Sequence, residues 1–211
     1  MNQLLYSTFF IGILLFPATG SAQKPGLPYD RFTGEITQTK FVETGQSREK
    51  TYNAVKSWIT RKYPNHREVI KIDQAGWGKI VFQHHEPIAS QRFKSFSYRV
   101  TLEIKDGNYT CTINNVKTLS PGSSVYSSAD MDFSNMGTFG KDIDDIDREI
   151  SITKDKKELA KLYEERRTLK SFLSDYDKSH NVMDNHFTMI QNGIFGAVTG
   201  SNSLADNGDK R

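Results

Sequence analysis

Ser95-Phe-Ser-Tyr-Arg-Val-Thr-Leu-Glu-Ile-Lys105, then Asp106-Gly107, then Asn108-Tyr-Thr-Cys-Thr-Ile-Asn-Asn-Val116 is the stretch whose reading decides the fold. Phe96, Tyr98, Val100, Leu102 and Ile104 alternate with Ser97, Arg99, Thr101, Glu103 and Lys105. A period of two marks a strand with one dry and one wet face. Asp-Gly suits a two-residue type I′ turn, which needs positive φ at both central positions. Closing the turn there sets Ile104 opposite Tyr109, Leu102 opposite Cys111 and Val100 opposite Ile113. All three pairs share one face, so turn chemistry and apolar pattern agree on a single register.

Working back from the hairpin, residues 79–85 and 69–72 read as two short strands around Gln74-Ala-Gly-Trp-Gly78, a glycine-rich turn that leaves Trp77 exposed. Upstream, Ser47 is a good N-cap with Glu49 in the first turn. Tyr52, Val55, Trp58, Ile59 and Tyr63 recur at helical spacing until Pro64-Asn65 stops the helix. Residues 31–42 predict a first strand, with a bulge where its alternation breaks near Lys40-Phe41-Val42. The order is strand, helix and a four-strand meander, and one helix layer over such a sheet dries a single face. Trp58 then lies in the helix layer and Leu102 in the sheet, and Trp58→Ala is expected to cost ~3–5 kcal/mol.

The stretch from Met1 to Ala22 carries no charged side chain. An apolar core over 4–16 followed by Gly20-Ser21-Ala22 predicts a secretory signal peptide over 1–22, cleaved before Gln23. The apolar run is short for a membrane span, so the expectation is a secreted or periplasmic protein with no stable span after cleavage. What remains, from Gln23 to Arg211, is long enough for one domain plus extra elements. A net charge of +3, from 28 basic and 25 acidic residues, demands neither a nucleic acid nor an anionic membrane. Cys111 is the single cysteine, placed in the dry face as a buried thiol. With no disulfide possible within the chain, the fold rests on its core.

The helix with Tyr52 and Trp58, the Gly78-Lys79-Ile80 start of a strand, and the hairpin from Tyr98 to Ile113 around Asp106-Gly107 resemble a secreted bacterial family. It is a domain of unknown function described as having a TATA-box-binding-protein-like (TBP-like) fold. The resemblance covers less than half of the chain. It implies an α+β unit, strand-helix-four-strand meander-helix on a five-stranded antiparallel sheet, and an envelope location. It brings no catalytic residue to carry over.

The domain plan follows: signal peptide over 1–22, a mobile lead-in over 23–30, the TBP-like α+β domain over 31–119, a linker over 120–141 rich in Ser, Gly and Asp, a helical C-terminal region over 142–195, and a disordered tail over 196–211. Ile143, Ile146 and Ile150 mark a short amphipathic helix with its acids at the N-terminal end, a better account of Asp142 to Asp147 than a calcium loop. In the resembled fold this helix packs beside the first one on the sheet. After an interruption at 151–155, a stripe runs through Leu159, Leu162, Leu169, Leu173, Tyr176, Met183, Phe187, Ile190 and Ile194 in steps of three, four or seven, with Arg166 and His180 interposed. It reads either as a coiled-coil seam for self-association or as a helix, or helix pair broken near Ser179, that folds back on its own domain. On the first reading, truncation before Lys154 leaves residues 31–150 folded.

Chemistry is sparse. His84-His85-Glu86 is the strongest cluster, but neighbours on a strand point to opposite faces and do not share a metal. Asp177, His180 and Asp184 line one helix face as a weak metal patch, with exposed helix surface the commoner use of such residues. No nucleophile elbow and no phosphate-cradling glycine loop occurs. No catalytic, cofactor-binding or metal residue and no cofactor is assigned. The chain reads as a non-catalytic envelope module for binding or assembly, working through the open sheet face or the C-terminal stripe, with an unknown envelope protein or a second copy as partner. Nucleic-acid binding rests on fold analogy alone, and is not expected for an exported protein with Glu103 in the middle of the wet face.

Overall fold

A computed structural model describes residues 27–28, 35–88, 90, 92–128 and 136–201. The proposed signal peptide, most of the lead-in and residues 202–211 lie outside them. The expected hairpin is β4 (Ser95–Lys105) and β5 (Asn108–Leu119), with Ile104 on Tyr109, Leu102 on Cys111 and Val100 on Ile113. Two details differ from expectation. Gly107 has φ +84° but Asp106 does not enter the left-handed region, so the turn has the sign pattern of type II rather than I′. The preceding loop fixes it: the Gly107 N–H donates to the Gln46 carbonyl, and the Gly107 carbonyl accepts from Thr44 N–H at 2.7 Å. Register shifts lie between Ser97 and Arg99, opposite Asn115 at φ +52°, and between Ile70 and Ile72, whereas β1 (Gln38–Glu43) runs in unbroken register along β5.

Helix α1 (Arg48–Lys62) starts at Ser47, whose Oγ accepts from Lys50 N–H, and Asp106 Oδ1 accepts from Arg48 N–H at 2.8 Å. A helical turn α2 (His66–Val69) leads to β2 (Ile70–Gln74), a 3-10 turn carries Trp77 at 83% exposure, and β3 (Lys79–Pro87) follows. Gly78 closes this turn at φ +63°, and any Cβ there would stand 2.1 Å from the Ile104 carbonyl oxygen, so only glycine fits. The antiparallel order is β1-β5-β4-β3-β2. A two-residue β6 (Ser127–Ser128) pairs with β5, inside the stretch expected to be linker.

The larger corrections concern the ends. Leu27, expected in a mobile lead-in, is 2% exposed and packs in the core. Helix α3 (Met136–Ile152) begins within the expected linker, and helix α4 (Lys156–Thr199) is unbroken through Ser179 and runs past the expected start of the tail to Gly200 at φ +72°. Ser179 is buried and its hydroxyl donates to the Asp175 carbonyl, which lets a polar residue stay inside the helix. Forty-four residues at 1.5 Å each make α4 about 66 Å long.

The two halves of α4 do different things. Tyr176, Met183, Phe187, Ile190, Ile194 and Val198 join Tyr52, Val55, Ile59, Phe82, Tyr98, Leu102 and Ile113 in one buried cluster. The C-terminal half therefore lies beside α1 on the sheet, the place expected for α3. The N-terminal half forms a hairpin with α3, burying Ile143, Ile146 and Leu162. Arg166, out of place in an apolar seam, pairs with Asp147 across this hairpin. The folded-back reading of the stripe holds for its C-terminal half, so truncation before Lys154 would remove part of the core rather than an accessory.

Candidate functional site

Helices cover only one face of the sheet among the described residues, so the residue pattern of each strand fixes which side chains meet the helices and which meet water. On the helix side, Phe82, His84 and Glu86 of β3 follow one another at period two. Glu86 Oε1 lies 3.4 Å from His84 Nε2 and 3.7 Å from Nε2 of His186, which α4 brings from far along the chain. His186 Nε2 also hydrogen-bonds the Tyr98 hydroxyl at 2.8 Å, and Tyr98 meets Tyr63 at 3.3 Å. The cluster ties the end of the first helix, two strands and the last helix together.

Burial sets its electrostatics. The Tyr63 hydroxyl is pushed up to about 12 by burial, and burial raises Tyr98 further, so both phenols stay protonated. Burial pushes Glu86 upward too, but the His84 hydrogen bond and the charges of His186, His84 and Lys62 outweigh it and hold the carboxyl below its ordinary value. Burial lowers His186 despite the opposing Glu86 charge, with Lys62 and His84 adding to the depression. Burial thus favours the neutral imidazole beside the Glu86 carboxylate at the seat of α4.

Of the sequence candidates, His84 and Glu86 are brought together while His85 is exposed, its ring stacked 5.3 Å from that of His84. His186 went unnoticed because nothing local to it signals a partner on β3. His180 is half-buried and depressed by burial against the opposing charges of Asp184 and Asp177. Among the described residues no group of three or more His, Cys, Asp or Glu is arranged to hold a metal ion. Asp142 to Asp147 lie within α3, so no calcium loop forms. Cys111 is buried, its thiol pushed up to about 12 by burial against the opposing Lys40 charge.

The open face is organised in cross-strand rows. Thr39, Thr112, Thr101, Val81 and Ile72 form one row across all five main strands; Phe41, Thr110, Glu103, Lys79 and Gln74 form the next. Phe41 is 60% exposed. Tyr126 closes one end of this face through its hydroxyl on Ser95 at 3.0 Å. Between β2, β3 and β4 a shallow groove of about 300 Å³ has Ile72, Val81 and Thr101 as its floor and Lys71, Lys79 and Arg99 around it.

The α3–α4 hairpin offers a second surface, with Ile152 74% and Tyr163 54% exposed. Among the described residues no helix is long and apolar enough to cross a membrane.

A DUF4468 family protein from Bacteroides ovatus ATCC 8483, known from a crystal structure at 1.49 Å, is 13% identical over 80% of this chain and 90% of its own, with a TM-score of 0.46. A TBP-like protein from Parabacteroides distasonis ATCC 8503 is 15% identical over 80% of this chain and 97% of its own, with a TM-score of 0.48. No curated protein matches. Residues 38–118 match the model of the family described as "Domain of unknown function (DUF4468) with TBP-like fold", and that segment runs from the start of β1 nearly to the end of β5. With strand-helix-meander order, a five-membered antiparallel path and helices on one face, this part of the chain is similar to DUF4468 domains and has the TBP-like fold that the family description names.

Proposed function

We propose that the chain is an exported, non-catalytic binding module of the cell envelope whose working surface is the open face of the sheet. The observation that carries this reading is that the C-terminal stripe, the competing surface, is largely consumed: from Tyr176 onward its apolar residues lie in the domain's own core. The five-strand face opposite is left to solvent with short hydroxyl side chains, an exposed Phe41 and a basic groove. The resemblance to an exported family and the apolar segment at 4–16 support the compartment. Cell fractionation with mass spectrometry of the N-terminus tests it, with Gln23 as the expected first residue and an intact Met1 as the contrary result.

Binding is tested by cross-linking in envelope extract with the wild type and with Thr101→Arg/Thr112→Arg, which fills the centre of the open face without touching the core. Loss of the cross-linked species at an unchanged melting temperature is expected. Their retention by the variant would refute the open face as the working surface.

A second reading, assembly through the α3–α4 hairpin, is favoured by the exposed Ile152 and Tyr163. Light scattering decides it, since a monomer at high concentration excludes self-association.

A further inference from the structure

The geometry points to the groove between β2, β3 and β4 as a binding site for a small organic phosphate or sulfate ester with an apolar body. The inference rests on the open-face reading above and names the ligand class for that face.

Three strands place one cation each around the groove. Lys71 belongs to edge strand β2, Lys79 to β3 and Arg99 to β4. Several cations elsewhere on the molecule have carboxylate partners: Lys56 on Asp73 at 2.7 Å, Arg148 on Asp145 at 3.1 Å, Arg167 on Glu164 at 2.6 Å. Among the described residues, Lys71, Lys79 and Arg99 have none. Lys71 instead donates to the Glu68 backbone carbonyl at 2.6 Å, which steadies its ammonium beside the groove. Glu103, in register with Lys79 on the next strand, is the one acid in the neighbouring rows, and it makes no ion pair with Lys79. Three like charges lining one groove, none of them in an ion pair and with Glu103 the single acid opposite, repel one another, and an anion relieves that repulsion.

The floor narrows the class. Ile72, 36% exposed, and Val81, 5% exposed, both line the groove on the open side of the sheet. An apolar patch between cations takes a ligand with an apolar body and an anionic head. The tetrahedral oxygens of a phosphate or sulfate ester reach several donors at once, and the Arg99 guanidinium binds two of them side by side. A volume of about 300 Å³ is at the small end of ligand pockets, which fits a single ring or short chain. Thr101 at the floor and Gln83, in register with Arg99, add neutral hydrogen-bonding groups.

The test is an amide NMR titration of the full chain with phenyl phosphate, inorganic phosphate and benzyl alcohol. Expected are saturable shifts from phenyl phosphate centred on Lys71, Ile72, Lys79, Val81, Arg99 and Thr101. Inorganic phosphate and benzyl alcohol should each bind at least about tenfold more weakly, because each supplies half of the recognition. Arg99→Ala/Lys79→Ala, two partly or fully exposed positions outside the core, should weaken phenyl phosphate about tenfold or more, the loss expected for charge-assisted contacts. A flat titration, shifts elsewhere, or an unchanged double variant would overturn the proposal. So would a short DNA duplex that shifts these residues while phenyl phosphate does not, which would make the face a polyanion surface. If the open-face cross-linking result holds while this titration is flat, only the ligand class fails. If Thr101→Arg/Thr112→Arg keeps its partners, the open-face reading fails first.

Discussion

Gly193 occupies the point where α4 crosses the Trp58 indole. A Cβ there would stand 2.7 Å from Trp58 Nε1 and 2.9 Å from two ring carbons. Gly193→Ala gains ~1 kcal/mol of helix propensity but overpacks a ring already braced against Tyr63 and Phe82, which costs ~1–3 kcal/mol. A net destabilisation is expected in chemical denaturation, reversing to a stabilisation in a Trp58→Leu background; equal effects in both would mean the ring yields freely. At the opposite end of α1, Asp106 serves a turn and a helix together. Asp106→Ala should lose about 1 kcal/mol through the Arg48 N–H it leaves unmet, and Asp106→Asn much less. His186 gives the pH dependence. Its folded-state pKa lies below the ordinary 6.5, so the unfolded chain binds the extra proton and stability falls as pH drops below that value. His180 contributes to the same limb, and Glu86, depressed below 4.5, adds a second loss at more acid pH. Melting temperature should therefore decline from pH 7.5 to 5.5, and His186→Gln should flatten part of that decline; an identical slope in the variant would rule His186 out.

At the scale of elements, the hairpin was legible because three independent signals, alternation, turn residues and facing pairs, agreed on one register. The type of its turn was not, since the bonds that set it come from Thr44, Gly45 and Gln46 rather than from the turn itself. The long helix was legible as a stripe but not as two jobs. Leu162 and Ile190 repeat at the same spacing, yet one packs on α3 and the other in the sheet core, and periodicity carries no address. Its partners on the sheet side are equally silent in sequence. Ser90 Oγ donates to Asp175 Oδ2 at 2.8 Å, and the Arg92 guanidinium lies 4.5 Å from the Phe172 ring and 4.7 Å from Tyr176. Arg92→Ala should thus cost more than a surface charge usually does, about 1–2 kcal/mol through lost packing on two rings. A loss below about 0.5 kcal/mol in a denaturant titration, the range of ordinary surface substitutions, would make the contact incidental.

For the whole molecule, the matched family segment, residues 38–118, is not the folding unit. Tyr176, Phe187 and Ile194 complete a core whose other walls lie within 36–116 and at Leu27. A chain ending at residue 153 should therefore show poorly dispersed amide resonances and no cooperative melt, and a sharp native spectrum from it would disprove that dependence. The proposed face was only partly legible for a related reason: Lys71, Lys79 and Arg99 are dispersed in sequence and are brought to one groove by the pairing of three strands.

The latch at the end of α4 also sets a clock. Gln46 Nε2 donates to the Val198 carbonyl at 2.8 Å and Lys40 reaches Asn192, contacts that each span 152 positions of chain. Loops of that length close slowly, and local pairing of β2 to β5 gains nothing from them until α4 arrives. During synthesis the sheet can assemble early while its apolar face waits bare for the last helix. The chain thus passes through an interval, lasting as long as the stretch from 120 to 198 takes to emerge, in which anything that binds a naked sheet can claim it before its own helix does.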